Sequence, residues 1–264
     1  MNAGENASGL FSVRSVFRGL LMEKVCEIDF AALSGAEKLE FVHRFDKIAE
    51  REFAEYPFET AVIAQLLIFT RWWNSYRLMV SENPTPRILD IVLEKLWDYH
   101  EGKLSHPDFV YFSKCLDAAV LEIVTGDTEK LDEDEAYYDF QAEYFGDWDC
   151  YYDEFIVDLT YLCCGISDHE MNWINVESIL DGDIADIKVP LFEGIENSDG
   201  TAAAIEQRDQ EIYSTPRFCQ VIALLQNDIR ISLENRPIGE LRRLYQNEYV
   251  FSPEDCAKVT SDWC

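Results

Sequence analysis

The chain has 264 residues, 48% of them hydrophobic and 13% aromatic, which is enough apolar material for a packed core and argues against global disorder. Its 51 acidic side chains outnumber the 22 basic ones, so 22 − 51 gives a net charge of −29. This charge argues against nucleic acid and anionic membranes as direct ligands, because both are held by lysine and arginine.

Apolar residues recur at three- and four-residue steps through most of the chain, which is typical of amphipathic helices. A first helix is predicted at 16–25, and a capping box at Ser34 and Glu37 begins a second one that continues along one apolar face to Ile48. A third, at 58–80, is apolar on most sides and is predicted to be central. Further helices are predicted to start after Pro86 and at Ser105. Two acidic helices follow at 132–145 and 149–163, the second ended by Gly165, and a second capping box at 167–170 begins the next helix. The last helices are predicted to start at 202, to span 218–233 and 241–249, and to start at 252–253.

The fold class that follows is all-α, a single domain of about ten helices. One short strand pair is allowed at 187–192. The glycine- and proline-containing stretch 181–201 is interpreted as a loop or a weak internal boundary.

Cysteine usage predicts a reducing compartment. Eight cysteines in 264 residues are too few for a disulfide scaffold, and no C-x-x-C pair occurs. Arginines interrupt the apolar residues of the first 21 positions, and the most apolar stretch, 61–69, is too short to span a bilayer. The sequence therefore predicts a soluble cytoplasmic protein.

Charge is concentrated in the second half of the chain. Residues 1–130 carry 14 basic and 21 acidic side chains (net −7), whereas residues 131–264 carry 8 and 30 (net −22). Between residues 131 and 187 there are 17 acidic residues and no Lys or Arg. Glu135, Asp139, Glu143 and Asp147 are four residues apart and are expected on one helix face, where neighbouring like charges are mildly destabilising.

Aromatic residues alternate with these acids. Tyr137, Phe140 and Tyr144 keep a spacing that faces a core, whereas Tyr138, Trp148 and Tyr151 do not. A surface that mixes carboxylates with Tyr and Trp is typical of a binding site for a basic protein. The predicted partner-binding residues are Asp132, Glu133, Asp134, Glu135, Tyr138, Asp139, Glu143, Asp147, Trp148, Asp149, Tyr151, Asp153 and Glu154. The alternative is a solvated helix face that only aids solubility.

Catalytic and metal-binding motifs are incomplete, so no catalytic residue, metal ligand or cofactor is predicted. His169-Glu170 lacks the second histidine of H-E-x-x-H, since position 173 is Trp. The one E-x-x-H, Glu40 to His43, has no second copy, and His43 is expected to be partly buried. His100 and His106 could meet across a loop, and Glu94 with Asp98 could bind Mg²⁺, so a metal site stays open.

Residues 53–102 carry a pattern of aromatic and charged residues: Phe53, Tyr56, Trp72-Trp73, Arg87-Ile88-Leu89-Asp90 and Trp97. This pattern resembles an uncharacterised all-helical bacterial family and is similar to helical immunity proteins of bacterial toxin systems. The resemblance implies a cytoplasmic, non-catalytic inhibitor whose acidic face occludes the basic active-site cleft of a cognate toxin, plausibly a nuclease.

The function expected from the sequence is an acidic binding protein that neutralises a basic protein partner, without direct contact to nucleic acid or membrane. Two alternatives stay open at this point. One is a helical metal-dependent hydrolase with carboxylate ligands, and the other is a nucleic-acid mimic that blocks a DNA-binding protein.

Overall fold

The computed structural model describes residues 24–79, 87–145, 153–170, 173 and 201–262. In these ranges the chain is all-α, with twelve α-helices, two short 3-10 helices and no strand. The α-helices are α1 (Gly35–His43), α2 (Phe45–Phe53), α3 (Phe58–Met79), α4 (Arg87–His100), α5 (His106–Thr125), α6 (Glu129–Asp132), α7 (Glu135–Phe145), α8 (Asp153–Asp168), α9 (Ala202–Tyr213), α10 (Pro216–Ser232), α11 (Ile238–Tyr245) and α12 (Pro253–Asp262). The 3-10 helices are Val25–Glu27 and Phe30–Ala32.

Helix α3 is central, as its sequence predicts. Sixteen of its 22 side chains are buried, and it packs against α2, α4, α8, α10, α11 and α12. Its aromatic residues form the middle of the core, where Phe69 and Tyr76 both meet the ring of Phe155 on α8 edge to face. One hydrophobic cluster extends from Val25 to Cys256, so the described residues share a single core.

Several helix ends follow directly from their capping residues. Ser34 and Glu37 form the predicted capping box, with the Ser34 amide donating to Glu37 Oε2 at 2.7 Å. Ser105 and Thr215 each cap a helix that has proline in its first turn. Helix α5 ends at Gly126, whose φ of 70° is favourable only without a Cβ.

Two predicted helix boundaries are wrong. The run from Ser34 to Ile48 is two helices, because the backbone breaks at Arg44 (φ −126°, ψ 17°). Gly165 does not end α8, which continues to Asp168 and buries Ile166. Burial of an isoleucine is worth roughly 1.5–3 kcal/mol and exceeds the roughly 1 kcal/mol cost of a helical glycine.

The second capping box, predicted at 167–170, is also wrong. Ser167 and Asp168 belong to the last turn of α8, and His169 takes a left-handed conformation with φ 61°. The Glu170 amide donates back to the Gly165 carbonyl at 2.9 Å, which is the Schellman arrangement of a helix C-terminus. These residues therefore end one helix instead of starting the next.

Other expectations fall outside the described residues or shift by a few positions. The predicted helix at 241–249 is Ile238–Tyr245, and the described residues contain twelve α-helices where the sequence predicts about ten. The predicted strand pair at 187–192, nearly all of the boundary at 181–201 and most of the first predicted helix at 16–25 lie outside the described residues. None of the described helices has the length and apolarity needed to cross a membrane.

The described cysteines, six in number, are all free. Cys115, Cys163 and Cys256 are buried, as expected for small apolar side chains in helices. Burial raises the pKa of the Cys163 thiol, which keeps it protonated and unreactive at neutral pH.

Candidate partner-binding surface

Six of the predicted acidic residues, together with Tyr138, form one exposed surface on α6, α7 and the two residues between them. We call it the α6–α7 surface and define it as Asp132, Glu133, Asp134, Glu135, Tyr138, Asp139 and Glu143. All seven side chains are exposed, and Tyr138 is 60% exposed. Asp147, Trp148, Asp149 and Tyr151 lie outside the described residues, and Asp153 and Glu154 are in the first turn of α8.

Helix α7 has two distinct sides. Glu135, Asp139 and Glu143 follow each other at four-residue steps along the exposed side, as predicted. The other side is held by aromatic contacts: Phe140 meets Phe112 of α5 edge to face at 5.8 Å. No ion pair involves any carboxylate of the α6–α7 surface within the part of the chain that the structure describes.

Short polar contacts hold α6 and α7 on α5. The Lys130 ammonium pairs with Asp117 of α5, and this contact raises the pKa of Lys130. Gln141 of α7 donates to Glu122 of α5 at 3.1 Å. The Ala136 amide donates to Asp134 Oδ1 at 2.9 Å, which fixes the start of α7. Lys130, the nearest basic residue in sequence, is engaged first with Asp117, and Glu133 is the one residue of the α6–α7 surface that contributes to its raised pKa.

Two further tyrosines border this surface. Tyr111 of α5 is 49% exposed, and its ring lies 6.4 Å from that of Tyr137 on α7. Tyr111 is not among the residues predicted from sequence. Tyr111 directly precedes the core residue Phe112 and is therefore off the apolar face of α5. That position on the helix is the sequence feature from which its exposure could have been predicted.

A second charged group is buried between α3, α10 and α11. Arg71, 3% exposed, donates from Nε and Nη2 to the carboxylate of Asp228 at 2.7–3.2 Å and from Nη1 to Glu248 at 2.7 Å. The Tyr245 hydroxyl donates to Asp228 Oδ1 at 2.5 Å, and the guanidinium lies over the Tyr245 ring at 5.1 Å. Burial raises the pKa of Asp228, and the hydrogen bonds from Arg71 and Tyr245 oppose that rise.

The acid pair Glu94 and Asp98 lies in an open groove of about 740 Å³ between α4 and α11. Arg242 donates to Asp98 and to Glu101 at 2.6 Å each, and Lys103 pairs with Glu101 at 2.6 Å. These cations neutralise Asp98, one of the two carboxylates of the predicted Mg²⁺ pair. Among the described residues there is no group of three or more His, Cys, Asp or Glu side chains that could hold a metal ion.

His100 and His106 both contact the ring of Tyr99, and no histidine belongs to the α6–α7 surface. His43 is exposed, so the expected partial burial is wrong. His106 Nδ1 is 3.1 Å from the Tyr99 hydroxyl, and His100 packs edge to face on the Tyr99 ring. His100 Nε2 is buried without a hydrogen-bond partner, and burial lowers the pKa of His100 to about 4.

Trp73, Asp90 and Trp97, three residues of the pattern behind the family resemblance, fasten α3 to α4. Trp73 Nε1 donates to Asp90 at 2.8 Å, and Trp97 Nε1 donates to Thr70 at 3.1 Å. In this chain the pattern therefore has a structural role, and it contains none of the α6–α7 surface.

The chain matches no family model, no curated protein and no solved structure. A proposal on function therefore depends on the residues themselves.

Proposed function

We propose that the protein is an acidic binding protein that neutralises a basic protein partner through the α6–α7 surface. The partner we propose is a bacterial toxin, a nuclease by preference, which makes the chain a cytoplasmic immunity protein. The observation that carries the proposal is the set of six exposed carboxylates around the exposed Tyr138, for which no described ion pair exists.

The arrangement on α7 favours binding over solubility alone. Glu135, Asp139 and Glu143 make two like-charge i,i+4 pairs, which together cost about 0.4–1 kcal/mol of helix stability. A face serving only solubility would mix both signs and avoid this cost. Binding of a basic partner would instead benefit from the row of acids, because complementary charge speeds association and disfavours wrong partners.

The shape of the surface suits occlusion of a cleft. Helix α7 presents a row of acids about two turns long. Tyr138 adds an amphipathic ring of the kind enriched at interface anchors. A toxin cleft that binds a phosphate backbone with Lys and Arg offers the matching charge. A nucleic-acid mimic would use the same surface, and the identity of the partner distinguishes the two.

The test is an affinity capture from lysate of the native cell type, washed at about 50 mM and then 500 mM salt. We expect a basic protein to be retained at low salt and released at high salt. The variant Glu135→Lys/Asp139→Lys/Glu143→Lys, with net charge −29 + 6 = −23, should not retain it.

A matched control separates the α6–α7 surface from overall charge. The variant Glu50→Lys/Glu55→Lys/Glu211→Lys also reaches −23, and its exposed positions lie on α2, the following turn and α9. It should retain the partner as wild type does. Equal loss in both variants, or no specific partner at either salt, would overturn the proposal and direct the work to metal content and a hydrolase screen.

A further inference from the structure

The α6–α7 surface adjoins a pair of aromatic rings, of which Tyr111 is exposed and Tyr137 is partly buried. Tyr111 projects from α5 and Tyr137 from α7, with ring centroids 6.4 Å apart and planes tilted by 47°. Half of the Tyr111 side chain is exposed, although the next residue of α5, Phe112, is buried. The pair therefore presents aromatic surface to solvent where two helices meet.

The Asp134 carboxylate acts electrostatically on the hydroxyl groups of both tyrosines. The Cys115 side chain, desolvation and the Asp134 carboxylate raise the pKa of Tyr111, and desolvation, Cys115 and Asp134 raise the pKa of Tyr137. Asp134 uses one carboxylate oxygen to cap α7 through the Ala136 amide, which fixes its position at the helix start. A rigid carboxylate next to an exposed ring is a recognition element for a cation.

We propose that the Tyr111–Tyr137 pair and Asp134 form the seat of an arginine side chain of the basic partner. This inference rests on the proposed function, and it names the residue type that anchors the partner. A guanidinium is planar and weakly hydrated, so it stacks on a tyrosine ring while its N–H groups reach a carboxylate. A lysine ammonium is compact and strongly hydrated, and it makes a poorer stacking partner.

The same combination exists inside this fold. Arg71 lies over the Tyr245 ring at 5.1 Å while it donates to the Asp228 carboxylate. In that network arginine, tyrosine and aspartate satisfy one another in the core. At the Tyr111–Tyr137 pair the tyrosine and aspartate are present and the arginine comes from the partner.

The test uses two labelled probes, a nonapeptide of arginine and a nonapeptide of lysine, with binding followed by fluorescence anisotropy at about 150 mM salt. The wild-type protein should bind the arginine peptide about two- to fivefold more tightly than the Tyr111→Leu variant does, because a partly exposed cation–π contact is worth about 0.5–1 kcal/mol. The lysine peptide should change less. Tyr111→Phe, which keeps the ring, should behave as wild type.

Tyr161 supplies the matched control, since it is 55% exposed on α8. Tyr161→Leu should leave both affinities unchanged. An unchanged arginine preference in Tyr111→Leu, or an equal loss in Tyr161→Leu, would overturn the arginine seat.

The experiment separates failure of this inference from failure of the proposed function. Suppose that the variant Glu135→Lys/Asp139→Lys/Glu143→Lys binds neither peptide, while Tyr111→Leu binds both as wild type does. Only the arginine seat is then refuted. If those three reversals leave both peptides bound as in wild type, the α6–α7 surface itself is refuted.

Discussion

Asp228→Ala is the substitution that most directly tests how the scaffold beneath the surface is held together. Asp228 is 1% exposed, and its carboxylate accepts three hydrogen bonds from Arg71 and one from Tyr245. The substitution removes all four and leaves the Arg71 guanidinium, 3% exposed, with Glu248 as its remaining carboxylate.

The expected loss of unfolding free energy is about 3–5 kcal/mol, the usual effect of removing one partner of a buried ion pair. That is a large part of the roughly 5–15 kcal/mol that stabilises a typical domain. Glu248→Gln is the contrast, because Glu248 is 40% exposed and its ion pair should contribute at most about 1 kcal/mol.

Urea denaturation followed by circular dichroism measures these losses, and a double variant without either charge tests their cause. Arg71→Met/Asp228→Leu removes both charges and fills the space with apolar atoms. It should be more stable than Asp228→Ala, because the unpaired guanidinium is absent. A loss below about 1 kcal/mol in Asp228→Ala, or a double variant no more stable than Asp228→Ala, would refute this account of the network.

Two further predictions concern charge and pH. Asp139→Asn should raise the unfolding free energy by about 0.4–1 kcal/mol at low salt, because it relieves the repulsion from Glu135 and Glu143; a gain that persists in 1 M salt would not be electrostatic. The unfolding free energy of the wild-type protein should fall as pH drops from about 6.5 toward 4. Burial lowers the pKa of His100 to about 4 in the folded protein, so the unfolded chain takes up the proton at a higher pH than the folded one. His100→Gln should remove this pH dependence. Between pH 7 and 4.5 wild type should lose about 2 kcal/mol more than the variant in urea denaturation, and equal losses would contradict the buried, neutral imidazole.

The local parts of the fold could be predicted because their signals are local. The apolar residues of α3 leave few polar positions for a solvent-facing side, so the sequence predicts a central helix, and the structure confirms it. The Ser34–Glu37 capping box and the glycine end of α5 at Gly126 are likewise set by neighbouring residues.

Other parts could not be predicted because they depend on distant residues or on context. Arg71 and Asp228 are 157 positions apart, and no local pattern joins them. Ser167 and Glu170 have capping-box identities, yet the burial of Ile166 extends α8 and turns the segment into a helix end.

The candidate surface could be predicted in part from the sequence. The four-residue spacing of its acids predicts exposure on one face of α7, and Glu135, Asp139 and Glu143 are exposed there. Tyr111 could be placed beside that face only after the packing of α5 on α7 was known, because 26 positions separate it from Tyr137 along the chain.

The most direct test of the central claim is the dissociation constant of the captured partner, measured by calorimetry with wild type and with the two −23 variants. Reversal at 135, 139 and 143 replaces three attractions by repulsions, worth about 0.4–2 kcal/mol each, so affinity should fall at least about eightfold. The control reversal at 50, 55 and 211 should change the dissociation constant by less than about threefold, because salt screens charges that lie far from the partner. A comparable loss in both variants, or none in either, would contradict binding through the α6–α7 surface.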